Sequence, residues 1–184
     1  SDAKAHTGRR SVKITGNPIF KQYQLQLDNN KSYTFSAWVS RDDENLSTYK
    51  QTNSIASDNC SIEIVTLDAS GNVSSVLGRF EPSGTMVAGW QKVEGEFMVT
   101  SPLTKSVAIR VYSGKAGSSN IAVYLDDVRI FPTDGNMKSY VYNNRNYRLA
   151  ATLDDNNYAT FYYYDDEGTL YITKQETEKG IYTI

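Results

Sequence analysis

The chain has a single cysteine and a single histidine. With Cys60 alone, no intramolecular disulfide framework can form, and with His6 as the sole imidazole there is no Cys/His cluster at zinc-ligand spacing. The fold must therefore stand on packing. Charge of one sign is also lacking: 19 basic residues face 21 acidic ones, a net charge of -2. No overall field draws the protein to nucleic acid or to an anionic membrane. No apolar run approaches the roughly 20 residues needed to cross a bilayer, so membrane insertion is not expected, and no signal-peptide pattern opens the chain. Because Ser1 is not a natural start, the sequence reads as a piece excised from a longer parent chain. Nucleophile-elbow, zincin, phosphate-loop and dinucleotide fingerprints are absent. The loop from Ser113 to Asn120 has one lysine and no following helix, which excludes a phosphate-binding loop.

What is abundant is tyrosine, fourteen residues, and with Val, Ile, Thr and Ser it points to strands and almost no helix. Short strands are expected at Ser11 to Thr15 and Gln22 to Leu27, with Asp28-Asn29-Asn30 as a turn. Ser32 to Ser40 puts Tyr33, Phe35, Ala37 and Val39 on one face and Thr34, Ser36, Trp38 and Ser40 on the other. Trp38 thus stands on the polar side. Arg41 to Asn59 is a long polar stretch. Segments beyond about 12 to 15 residues without structure are often functional, so this one either flanks a ligand groove and brings Tyr49 to it or is a solvated crossover. Cys60 to Leu67 and Val73 to Phe80 form a hairpin around Asp68 to Asn72. Trp90 reads as core or corner packing. Ser106 to Tyr112 turns Val107, Ile109 and Val111 inward and Ala108, Arg110 and Tyr112 outward.

The segment that organises the rest is Ile121 to Phe131, IAVYLDDVRIF, a closing strand. Two phases are open. Either Tyr124, Asp126, Val128 and Ile130 face the core, or Val123 and Leu125 do and a bulge at the Asp pair switches the alternation. In either case one carboxylate is half-buried and must be paired, hydrogen-bonded or bound to a metal. The remaining acidic clusters, Asp42-Asp43-Glu44, Asp154-Asp155 and Asp165-Asp166-Glu167, read as turn chemistry and solubility. Neighbours on one strand point to opposite faces, so none is an evident acid/base couple.

The aromatic-aliphatic-Asp-Asp-Val pattern at 124–128, the Tyr-x-hydrophobic-Ser-x-Trp-Val strand at 33–39, the His-Thr-Gly-x-x-Ser turn at 6–11 and the Trp90 strand pair resemble carbohydrate-binding jelly-roll modules of galactose-binding-like fold. The resemblance spans roughly residues 5 to 132. It implies a two-sheet antiparallel jelly-roll sandwich without catalytic activity. It further implies a glycan stacked on Trp38, with Tyr112 alongside if the strands are neighbours, and Arg110 and the Tyr49 loop supplying hydrogen bonds. In such modules backbone carbonyls of an early turn and the first Asp of the closing strand surround a structural calcium; here Asp126 and the turn from His6 to Gly8 would supply them. The alternative satisfies Asp126 with backbone N–H groups alone. His6 itself reads as a turn residue, since it has no nucleophile motif to serve as a base.

Pro132 to Gly135 ends this first unit, giving a domain at 1–133 and a different segment at 137–184. There, Tyr140-Val141-Tyr142-Asn143 followed by Arg148-Leu149 recurs about 22 residues later as Tyr162-Tyr163-Tyr164-Asp165 followed by Gly168-Thr169-Leu170. YDDEGTLYITKQETEKG resembles the tyrosine-aspartate (YD, Rhs-type) repeat, which implies a β-hairpin extension; the first copy has Asn143 in place of the Asp and lacks the turn glycine. Two functions follow as expectations: a glycan-binding module of a larger protein, or a structural interaction segment of a large YD-repeat protein with no sugar site. Both resemblances imply a bacterial cell-surface or secreted setting.

Overall fold

The computed structural model describes residues 4–16, 19–25, 27–41, 60–100, 106–113 and 122–184. All regular structure among them is β. Nine strands build a sandwich: β1 (Val12–Ile14), β2 (Ile19–Leu25), β3 (Ser32–Arg41), β4 (Ser61–Leu67), β5 (Val73–Phe80), β6 (Pro82–Val87), β7 (Trp90–Met98), β8 (Ser106–Tyr112) and β9 (Val123–Pro132). One sheet has the order β1-β9-β3-β7-β6 and the other β2-β8-β4-β5, every pairing antiparallel, so the chain passes back and forth between two layers in jelly-roll fashion. Pro82 begins β6, an edge strand, where a residue without an N–H costs no ladder bond.

The core lies between the layers. Tyr33, Phe35, Ala37 and Val39 from β3 meet Ile62 and Ile64 from β4 and Val107 and Val111 from β8, all buried. Phe80 stacks on Phe35, with ring centroids 5.3 Å apart. Phe80 has room because Gly95 stands opposite it: a Cβ there would come within 2.3 Å of the ring.

In the closing strand the bulged phase is the one adopted. Val123 and Leu125 enter the core and Ile130 packs against it, while Trp38 pairs with Asp126 and Ser36 with Arg129, leaving one extra residue in β9. Asp127 takes φ 46° and Val128 is pushed out to 40% exposure. Two adjacent carboxylates cannot both follow a regular strand here, because one would enter the apolar core. The bulge turns both toward the outer face.

Residues 139–183 form a third sheet, a five-stranded meander in sequence order: β10 (Ser139–Tyr142), β11 (Leu149–Leu153), β12 (Ala159–Tyr164), β13 (Leu170–Thr177) and β14 (Gly180–Thr183). Its turns explain the repeat. Asp154 and Asp165 each accept two backbone N–H bonds on Oδ1 at 2.7–2.9 Å, from Asn156 and Tyr158 in one turn and from Gly168 and Thr169 in the other. The fourth residue is left-handed in both, Asn157 at φ 66° and Gly168 at φ 96°. Asn143 heads the preceding turn in the same manner through Arg145 N–H, 2.9 Å. The strand-plus-turn unit is thus half the 22-residue period visible in the sequence.

Candidate functional site

The meander lies against the outer face of the β1-β9-β3-β7-β6 sheet, through a contact that combines hydrogen-bonded polar groups with aromatic packing of Tyr158 on Trp38. The first turn is clamped onto the Asp pair: Asp126 Oδ2 accepts His6 N–H (2.8 Å) and Thr7 N–H (3.4 Å), Asp127 Oδ1 accepts the Thr7 hydroxyl (2.7 Å), and Asp127 Oδ2 accepts His6 Nδ1–H (2.7 Å). From the other side Glu176 of β13 receives His6 Nε2–H at 2.9 Å and, with its second oxygen, the Ala159 N–H at 3.0 Å. The imidazole stacks on Trp38, centroids 4.3 Å apart and planes 17° from parallel, with Trp90 at its edge.

His6, expected as a turn residue, is therefore a buried cation held between two carboxylates. Burial works to lower its pKa, but the Glu176 and Asp127 carboxylates override this and bring it up to about 10. With both ring nitrogens protonated and engaged, it has no lone pair with which to act as a base. Asp126 is displaced upward as well, to about 6, by burial and by the neighbouring Asp127 charge, against the backbone N–H groups that lower it.

Trp38 does face the polar side, yet it is 1% exposed. Its Nε1–H donates to the Asn157 carbonyl at 2.7 Å, and Tyr158 meets it edge-on. The expected sugar platform is corrected on this point: the β11–β12 turn covers the indole, and a ring with no free face cannot stack on a ligand. Asn157, wholly buried, ties the same turn to Ser36 Oγ and to the Asp127 carbonyl, 3.0 Å each, and Arg129 reaches the Asp154 carbonyl at 2.5 Å. Burial lowers the Arg129 pKa. Sequence reasoning missed Asn157 and Glu176, and the role of the His6 side chain. The only available signal was that His6 lies in the turn expected to meet Asp126.

The expected calcium set can be tested against this arrangement. Asp126 Oδ1 accepts the Asp127 N–H at 2.9 Å and Oδ2 the two N–H groups of the turn, so the turn offers donors where a cation needs six to eight oxygens. Among the described residues no three His, Cys, Asp or Glu side chains form a group that could hold a metal ion. The tie between first turn and last strand is made by hydrogen bonds instead.

Arg110 and Tyr112 lie elsewhere. They belong to β8, in the other sheet, so the expectation that Tyr112 and Trp38 sit on neighbouring strands fails: the two project from opposite outer faces of the sandwich. Arg110 Nε donates to Glu63 Oε2 at 2.8 Å, its Nη2 joins the same oxygen, and Arg79 Nη1 stands 3.6 Å from Glu63 Oε1. Both guanidiniums lie near the Tyr112 ring, at 5.1 Å for Arg110 and 5.7 Å for Arg79. Ser61 pairs with Tyr112 across the sheet, and its buried Oγ has no hydrogen-bond partner. Tyr49 and the Asp42-Asp43-Glu44 cluster lie outside the described residues.

Comparison with protein families finds no match, and comparison with curated proteins finds none. Among solved structures the chain is similar to one described as "CBM4 structure and function", at 16% identity over 72% of this chain and 67% of that one, TM-score 0.39. It is also similar to the CBM22-2 xylan-binding domain from Paenibacillus barcinonensis Xyn10C, at 17% identity over 68% and 80%, TM-score 0.39. The sandwich assignment rests on this chain's own strands and core.

Proposed function

We propose that the chain is a non-catalytic glycan-binding module whose site is the outer face of the β2-β8-β4-β5 sheet, centred on Tyr112, Arg110, Arg79 and Glu63. One observation carries this reading: the Glu63 carboxylate, 5% exposed at the side chain, holds Arg110 in place beside the Tyr112 ring, so donors, an acceptor and an aromatic surface are fixed together before any ligand arrives. Sugars present C–H faces to aromatic rings and hydroxyls to polar forks, and a fixed array lowers the entropy lost on binding. A bacterial cell-surface or secreted parent protein is the setting such a module suits.

Glycan-array and affinity-gel binding across plant, host and microbial polysaccharides tests it. Retention is expected for the native chain, loss for Tyr112→Ala and for the exposed Arg79→Ala, and persistence for Trp38→Phe, which alters the other face. Binding by none of these glycans, or loss on Trp38→Phe with retention on Tyr112→Ala, overturns it.

The second reading, a structural segment of a larger surface protein, is favoured by a different observation. Much of the specialised chemistry of this chain joins sandwich to meander, and the meander exposes Tyr140, Tyr142, Tyr147, Tyr171 and Tyr182, a composition common at protein interfaces.

A further inference from the structure

Where the first turn of the sandwich adjoins the β10–β11 turn there is a cleft of about 280 Å³ lined by Arg9, Arg10, Asn144 and Arg145. We propose that this cleft binds an oxyanion, a sulfate, phosphate or carboxylate group, gripped between Arg9 and Arg145. The inference is independent of the glycan reading, because it concerns a different face and different residues.

Arg9 and Arg145, from segments about 135 positions apart, line one space together with Arg10 and Asn144, and no carboxylate is among these lining residues. The protein as a whole is slightly acidic, so this concentration of positive charge is local. Like charges so placed repel each other, and an anion between them reverses the sign of every term. Arginine suits the role because its planar fork of N–H donors matches the oxygens of a carboxylate, sulfate or phosphate two at a time. Asn144 adds an amide donor.

Both walls are held rigidly. Arg9 and Arg10 follow Gly8, whose φ of 64° ends the turn that is clamped to Asp126 and Asp127. Arg145 sits in a turn closed by Asn143 N–H to the Arg148 carbonyl (2.9 Å) and Tyr147 N–H to the Asn143 carbonyl (2.7 Å), with Tyr147 left-handed at φ 56°. The two walls meet: a Cβ on Gly8 would come within 3.0 Å of Val141 Cγ1 on β10. The volume of about 280 Å³ falls just below the range of drug-sized ligand sites, which begins at roughly 300 Å³, so the anionic group is carried on a body no larger than about one sugar ring.

The test is thermal melting and calorimetric titration of the whole chain with sodium phosphate, glucuronate and a sulfated monosaccharide, each against sodium chloride at equal ionic strength. The three probes separate phosphate, carboxylate and sulfate-ester sources of the same chemistry. The inference predicts a saturable rise in Tm with at least one oxyanion and none with chloride. Arg9→Gln combined with Arg145→Gln should weaken binding by about tenfold or more, while the charge-matched pair Lys138→Gln and Lys179→Gln leaves it intact. Arg10 already has an interaction of its own and is left unchanged. A rise that never saturates and is equal in all variants is the general salting effect of excluded ions and overturns the proposal. So does the absence of any rise, or an equal loss in the control pair.

Discussion

His6→Gln is the substitution that most directly tests the junction. It removes the one positive charge between Asp127 and Glu176, two carboxylates whose side chains are 9% and 1% exposed, and leaves them facing each other. Breaking a buried ion pair by removing one partner costs about 3–5 kcal/mol. The pKa gives an independent figure: from 6.5 in the unfolded chain to about 10 in the fold, at about 1.4 kcal/mol per pH unit, it corresponds to roughly 5 kcal/mol. The sign follows from proton counting. A raised pKa means the folded state binds more protons, so stability falls as pH rises. The His6 contribution is complete below pH 6.5 and lost progressively up to about 10. Asp126, raised to about 6 from 3.8, acts in the same direction over a more acidic window. Urea denaturation followed by tryptophan fluorescence suits the question, since Trp38 and Trp90 both touch the imidazole. The expected result is a native stability that declines between pH 6.5 and 10, and a variant that is several kcal/mol weaker at pH 7 but lacks that decline. A native curve flat across this range, or a variant loss below about 1 kcal/mol, would falsify the charged, buried imidazole.

Two further outcomes are expected. Melting temperatures in calcium and in EDTA should coincide, because Asp126 is committed to backbone N–H groups; a calcium-dependent rise of several degrees that disappears in Asp126→Asn would reverse that reading. Burial pushes the Cys60 thiol up to about 12, so iodoacetamide at pH 8 should label it only in denaturant, and rapid labelling of the native protein would show that the residue is reachable.

Much of the fold could be read from alternation alone. The inward faces of β3 and β8, and the meander's turns headed by Asp154 and Asp165, follow from period-two patterning and from the ability of a short Asx side chain to satisfy a turn's N–H groups. The same local rules left the phase of β9 open, because Tyr124, Val123 and Leu125 are all apolar enough to enter a core.

What the sequence by itself determined is which residues alternate, where turns must fall and which carboxylate needs a partner; those are short-range properties of covalent geometry and desolvation. Only the tertiary structure decided who the partners are. Trp38 on a polar strand face is equally consistent with a ligand platform and with a covered joint, and the difference lies in a turn about 120 residues away that donates nothing recognisable to the local pattern. His6, Asp127 and Glu176 likewise meet across separations of 121 and 170 residues. Strand periodicity says which way a side chain points but not what arrives to meet it. Here the meander arrived, and it converted a solitary histidine and two acids into the buried ion cluster that joins the two parts of the chain.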